Sequence, residues 1–184
     1  MTNLLTASLT ADFWQTGFAM IRYLPRSFRV WQVDGMDFFT ESRLAEYRSR
    51  IAALTPQSRG HWGTMTVDQG LHHLNLACGH AHGFYTLPDE SYLTSRTVFR
   101  WILVDWFPEQ PQGLRLPTGF KIPHDQHFDF FDEQAKLILI LETAWKKRSA
   151  KDWGPHCTFG RMSLREWGKL LQIHIDYHLR QFGV

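Results

Sequence analysis

The sequence predicts an all-α fold, a four-helix bundle with long connections and an appended N-terminal arm. Three observations carry this expectation. Four stretches repeat apolar residues at helical spacing, each opens on a residue suited to capping, and no stretch shows the alternation of a half-buried strand. The chain of 184 residues fits one domain and is long enough to bury a real core. Its 43% hydrophobic and 21% charged content belongs to globular proteins, not to disordered ones.

Residues 1–36 carry scattered aromatics (Phe13, Trp14, Phe18, Tyr23, Phe28, Trp31) without periodicity or strong caps. They are read as an arm packing on the domain, or on a second subunit. The bundle itself is assigned to residues 37–184. Thr40 caps a first helix in which Leu44, Tyr47, Ile51 and Leu54 recur, and Pro56 stops it. Thr66-Val-Asp-Gln69 is a capping box that opens a second helix running to about Gly83. Tyr92 to Trp106 reads as an aromatic-rich helical segment, followed by a long Pro- and Gly-rich loop of the kind that often rims a site. Asp129 caps a third strong helix, with Phe130, Gln134, Leu137, Ile138, Leu141 and Ala144 on one face. Trp153, Gly154 and Pro155 break the chain, and the capping box Ser163-Leu-Arg-Glu166 opens the last helix. Four amphipathic helices joined by long connections make a bundle.

Composition narrows the function. Lys and Arg total 20 against 18 acidic residues, and no dense basic block appears, so nucleic acid is not an expected partner. No run approaches the roughly 20 apolar residues of a membrane span. The first residues lack the basic flank of a secretory signal, and Asp12 interrupts the apolar stretch early. Cys78 and Cys157 make no disulfide framework and read as buried or incidental thiols of a cytoplasmic protein. The unusual figure is the 10 histidines.

The last helix carries the stripe Trp167, Leu171, His174, His178 and Phe182. His174 and His178 lie about 40° apart around the axis, one turn above the other, where a core-facing stripe would place Leu or Phe. Two inward imidazoles need partners, since an unpaired buried polar group costs about 1–3 kcal/mol, and a metal ion partners both at once. Such a pair alone also fits two core-edge histidines bonded to carbonyls or water. His73 on the second helix, one turn after Gln69, supplies a third ligand. Three His from two helices leave a cation with open positions, as in catalytic rather than closed structural sites. His80, seven residues on, is an alternative to His73. His72 reads as a flanking residue. His61, His82, His124, His127 and His156 read as structural or surface residues, although His124 and His127 stand in a loop that could reach over the site.

These residues compose a familiar pattern. Trp62-Gly63-x-Met65-x-x-x-Gln69-x-x-x-His73 resembles the second-helix signature of DinB-like proteins. His156-x-x-Phe159-Gly160-x-Met162-Ser163-x-x-Glu166-Trp167-Gly168, followed by His174-x-x-x-His178-Leu179-Arg180-Gln181-Phe182-Gly183, is similar to the C-terminal pattern of one branch of that superfamily, a branch described as a domain of unknown function. The likeness covers roughly residues 38–184. It implies a DinB-like four-helix bundle, often dimeric, with a divalent ion such as zinc or nickel on His73, His174 and His178. It also implies chemistry with a low-molecular-weight thiol, as in transferases or isomerases. Two positions depart from the pattern: Gly70 stands where Met is common, and Tyr177 where a His often precedes the last ligand.

The leading expectation is a divalent-metal-dependent enzyme acting on a small molecule, as a thiol-dependent S-transferase or isomerase. Gln69 and Gln181 flank the His face and Tyr177 sits beside it, so these three are the candidate cofactor- or substrate-contacting residues. No general base is evident, because Glu166 is occupied by its cap. The alternatives are a metal-dependent hydrolase, or a bundle that binds a small ligand or a structural metal without turnover. A binding bundle would line its pocket with aromatics such as Phe84, Tyr85, Trp101, Trp106, Phe107 and Phe120.

Overall fold

The computed structural model describes residues 33–106, 117–150 and 153–184. Most of the arm assigned to residues 1–36, and Phe107 among the candidate pocket aromatics, lie outside the described residues. Helix α1 spans Glu41–Ala53, with Thr40 Oγ1 accepting from the Arg43 N–H at 3.3 Å. Helix α2 spans Val67–Gly79 behind the Thr66/Gln69 capping box. It tightens into a 3₁₀ turn over His80–His82 and ends at Gly83, in the left-handed conformation with φ +79°. Helix α3 spans Phe130–Lys146, capped by the Asp129 carboxylate, and α4 spans Leu164–Gln181 behind the Ser163/Glu166 box. Residues 93–106 are helical but underwound, with wider π-type turns at Ser95–Phe99 and Ile102–Trp106. Among the described residues no strand forms, and a single antiparallel bridge joins His156 to Gly160.

The fold is an all-α bundle. Helix α3 packs on both α1 and α2, and α2 packs on α4. The inward stripes of these helices meet in one core that includes Ile51, Leu71, Leu74, Leu137, Ile140, Trp167, Leu171 and Ile175. Burying side chains of this size stabilises the fold by about 1.5–3 kcal/mol each. Between α2 and α3 the core is crossed by a polar tie: buried Glu133 accepts from Asn75 Nδ2 at 2.7 Å, His72 Nδ1 at 3.0 Å and Lys136 Nζ at 2.8 Å. Burial pushes the Glu133 carboxyl up, but hydrogen bonds from Lys136, Asn75 and His72 together bring it below its ordinary value.

A 3₁₀ turn over Gly35–Phe39 lies on α4, and its backbone nearly touches the helix. A Cβ on Gly168 would stand 1.8 Å from the Gly35 carbonyl oxygen, so a side chain at either glycine would force the two segments apart. Gln172 Nε2 donates to the Asp34 carbonyl at 3.0 Å, and Arg165 pairs with the Asp34 carboxylate. The described end of the N-terminal region is thereby pinned along the back of the helix that carries His174 and His178.

Candidate metal centre

Trp167, Leu171, His174 and His178 follow one another along the inward face of α4, and all four are buried. His73 meets them from α2, since its neighbours Leu74 and Gln69 turn the same side of that helix inward. The three imidazoles are 2%, 8% and 4% exposed for His73, His174 and His178, so none is a surface histidine. Their ring centroids form a near-equilateral triangle: 5.0 Å for His73–His174, 4.9 Å for His73–His178 and 4.8 Å for His174–His178. One nitrogen from each lies within 4.8 Å of the other two. His73 Nε2 and His174 Nε2 stand 3.1 Å apart. Two nitrogens about 2.0–2.1 Å from one zinc in a tetrahedral arrangement would be about 3.3 Å apart, so the spacing fits a cation between them.

Protonation and tautomer agree with that geometry. Burial brings His73 down to about 3 and His178 down to about 4, and burial with the neighbouring imidazoles drives His174 well below its ordinary value. All three are neutral near pH 7, as metal ligands must be. Gln181 settles which His178 nitrogen is available. Its Nε2 donates to the Trp62 carbonyl at 2.7 Å, so its Oε1 accepts, and His178 Nδ1–H donates to it at 2.8 Å. The lone pair of His178 is thereby left on Nε2. This is the outer-sphere arrangement that orients metal-binding histidines. His73 Nδ1 is buried beside the Phe120 backbone, whose hydrogen-bonding influence works against the burial that lowers this ring's pKa.

The remaining expected contacts fall in different places. Gln181 lies against the triad, acting through His178. Gln69 turns away into its loop: its Oε1 caps Thr66, and its Nε2 donates to the carbonyls of His124 at 3.1 Å and Gln126 at 2.8 Å. It anchors the segment after Phe120 over the top of α2. Tyr177 is partly exposed and wedged edge-on between Trp62 and His178, at 5.6 and 5.0 Å between centroids. Gly70 admits the Phe182 ring, because a Cβ there would come within 2.4 Å of it. Of the candidate pocket aromatics, Phe120 packs edge-on to His73 at 5.9 Å, whereas Phe84 and Trp101 are exposed and Tyr85 sits by His72. His124 and His127 are exposed, and His127 faces Asp68.

His156, read from the sequence as a structural or surface residue, is interior, and His80, read as an alternative ligand to His73, is partly buried beside it. His156 is 8% exposed, and with His80 and Cys157 it forms a second group whose donor atoms lie within 4.8 Å of one another. His80 itself does not join His73; its Nδ1–H donates to the Leu76 carbonyl at 3.1 Å and its Nε2 is buried without a partner. Distance alone would permit a cation here, but the hydrogen bonds oppose it. His156 Nδ1 already accepts the backbone N–H groups of Thr158 and Phe159, at 3.0 and 3.3 Å. Burial also holds the Cys157 thiol above its ordinary range, against the thiolate a metal requires. The sequence signal for His156 was its place in the His156-x-x-Phe159-Gly160 motif, not its spacing from other histidines.

The family described as protein of unknown function (DUF1569) matches residues 38–183, which covers the bundle and all six residues of the two groups. No curated protein and no solved structure matches the chain.

Proposed function

The chain belongs to the DUF1569 family, and from that membership and the triad geometry we propose that it is a DinB-like, divalent-metal-dependent enzyme acting on a small molecule. The observation that carries the reading is the convergence of three buried, neutral imidazoles, one with its lone pair directed by Gln181. His73, His174 and His178 would hold the ion, with zinc or nickel the natural occupants of an all-imidazole site. A cation with three protein ligands supplies Lewis acidity at its open positions, lowering the pKa of a bound thiol or water.

Within that reading, a low-molecular-weight thiol as co-substrate, in an S-transferase or isomerase, is better supported than hydrolysis. Hydrolysis asks for a base beside the ion, and among the described residues no carboxylate joins the triad. Glu133 is committed to Asn75, His72 and Lys136, and Glu166 to the α4 cap and Arg100. A thiol that ionises on the ion needs no such base. The aromatic wall of Phe120 suits an apolar electrophile. We further propose a homodimer located in the cytoplasm; among the described residues no helix is long and apolar enough to cross a membrane.

Elemental analysis of tag-free protein, wild type beside His174→Ala, tests the ion. About one zinc or nickel per chain, lost in the variant, is expected. Metal in neither, even after adding it back, would end the enzyme reading. A screen of thiols against electrophiles and esters then separates transferase from hydrolase, and turnover with neither would leave a binding bundle.

A further inference from the structure

A neutral imidazole has one N–H and one lone pair, and its partners decide which nitrogen has which. At His156 the backbone N–H groups of Thr158 and Phe159 both donate to Nδ1, so the ring proton is on Nε2. The turn that presents these donors is closed by reciprocal backbone hydrogen bonds between His156 and Gly160, both 2.8 Å. It is tied to the helical segment 93–106 by Ser95 Oγ donating to the Thr158 carbonyl. The Phe159 ring stacks on the imidazole at 4.7 Å and 25°, and Trp167 flanks it at 5.3 Å. Position, plane and tautomer of this ring are therefore all set.

What the ring lacks is an acceptor. Among the described residues, Nε2–H of His156 makes no hydrogen bond, although the residue is buried. Nε2 is not among the sealed, unpaired atoms of the interior, so this donor opens on space that a bound molecule can enter. The ring adjoins the triad. Phe120 packs against His156 at 6.2 Å and against His73 at 5.9 Å, and His156 lies close enough to His174 to depress its basicity.

We propose that His156 is a fixed, neutral hydrogen-bond donor to the small molecule bound at the triad, its Nε2–H meeting a carbonyl or carboxylate oxygen of that ligand. The assignment rests on the metal reading given above. A neutral imidazole donor polarises an oxygen without giving up its proton, a use known for histidines whose surroundings disfavour the cation. Burial brings His156 down to about 3, which keeps it in that form near neutral pH. The ligand class follows: a molecule with an oxygen acceptor next to the atom that the ion activates.

Two measurements test it. The first is ¹⁵N NMR of the full-length, metal-free wild type, with the ring nitrogens assigned through bonds so that no variant is needed. A protonated Nε2 and bare Nδ1 at His156 from about pH 5 to 8 is expected; a protonated Nδ1, or an imidazolium, overturns the proposal. The second loads the protein with cobalt(II) and titrates acetate, followed by visible absorption. Acetate should bind the wild type about tenfold more tightly than His156→Phe, the loss expected for one buried hydrogen bond. His156→Gln, whose amide N–H can stand in for Nε2–H, should recover part of that affinity, and all three proteins should hold equal cobalt. Equal acetate affinity at equal cobalt content overturns the donor role and leaves the metal reading standing. No cobalt uptake by the wild type overturns both.

Discussion

His73, His174 and His178, on α2 and α4, and His80, His156 and Cys157, where α2 ends and the loop before α4 passes, are each a group of three possible ligands. In both groups the donor atoms lie within 4.8 Å of one another, and each group contains a histidine that burial brings down to about 3. They differ in where the hydrogen bonds leave the lone pairs. In the first group Gln181 takes the Nδ1–H of His178 and frees Nε2. In the second, two backbone N–H groups occupy Nδ1 of His156 and oblige Nε2 to keep its proton. The first group is arranged to give electrons to a cation, the second to give a hydrogen bond. Residue type and proximity alone would have ranked them equal.

The comparison can be broken most decisively by deleting one ligand from each group. His174→Ala should lower zinc affinity by more than about 100-fold, because losing a residue that only orients a ligand already costs about 10–100-fold. His80→Ala should leave it within a few-fold, and competition titration against a chromophoric chelator measures both. Equal losses would mean that the groups are not distinct. Next in size is Gln181→Leu, which removes the acceptor that orients His178 and should weaken zinc binding by about 10–100-fold in the same assay. Unchanged affinity would show that α4 alone holds the ring in place.

Acid exposes the burial that the groups share. His73, His156 and His178 have folded values near 3 to 4, against an ordinary value of 6.5 that the unfolded chain regains. Below about pH 6.5 the unfolded state therefore takes up more protons. Stability present above that pH is lost as pH falls toward 4, with a slope of up to about 1.4 kcal/mol per pH unit for each histidine. Urea melts between pH 7 and 5 should show this slope, reduced in His156→Phe; a flat profile would contradict the neutral buried state. Glu133 adds a later loss: its carboxyl is held below the ordinary 4.5, so its contribution fades only as pH falls through that lower value. The smallest effect expected is that of Cys157→Ser. One metal per chain should persist in it, with stability changed by about 1 kcal/mol or less. Loss of a metal equivalent would instead show that the second group binds a cation.

Much of this architecture was readable beforehand for local reasons. Thr40, Thr66, Asp129 and Ser163 each satisfy helix N-termini within four residues of themselves, so the starts of α1 to α4 needed no tertiary information. The 3.6-residue period placed His174 and His178 on the inward stripe. Gln69 shows where such reasoning stops: its helical position flanks His73, yet its amide is taken by the carbonyls of His124 and Gln126, more than 50 residues away. His156 shows the reverse. No periodicity marks a loop residue as interior, and its burial depends on Trp167 and Phe120, which arrive from other parts of the chain, as well as on Phe159 in its own turn.

Helix ends, helix faces and the supply of imidazoles are thus properties of short stretches, set by capping, spacing and side-chain type. Which imidazoles meet is a property of segments far apart in the chain: His73 meets His174 across 101 residues, and the Trp62 carbonyl, 119 residues from Gln181, fixes which end of that amide faces His178. A ring nitrogen's proton is set by near neighbours, Gln181 for His178 and the Thr158 and Phe159 amides for His156, but bringing two rings together takes a chain that folds back on itself.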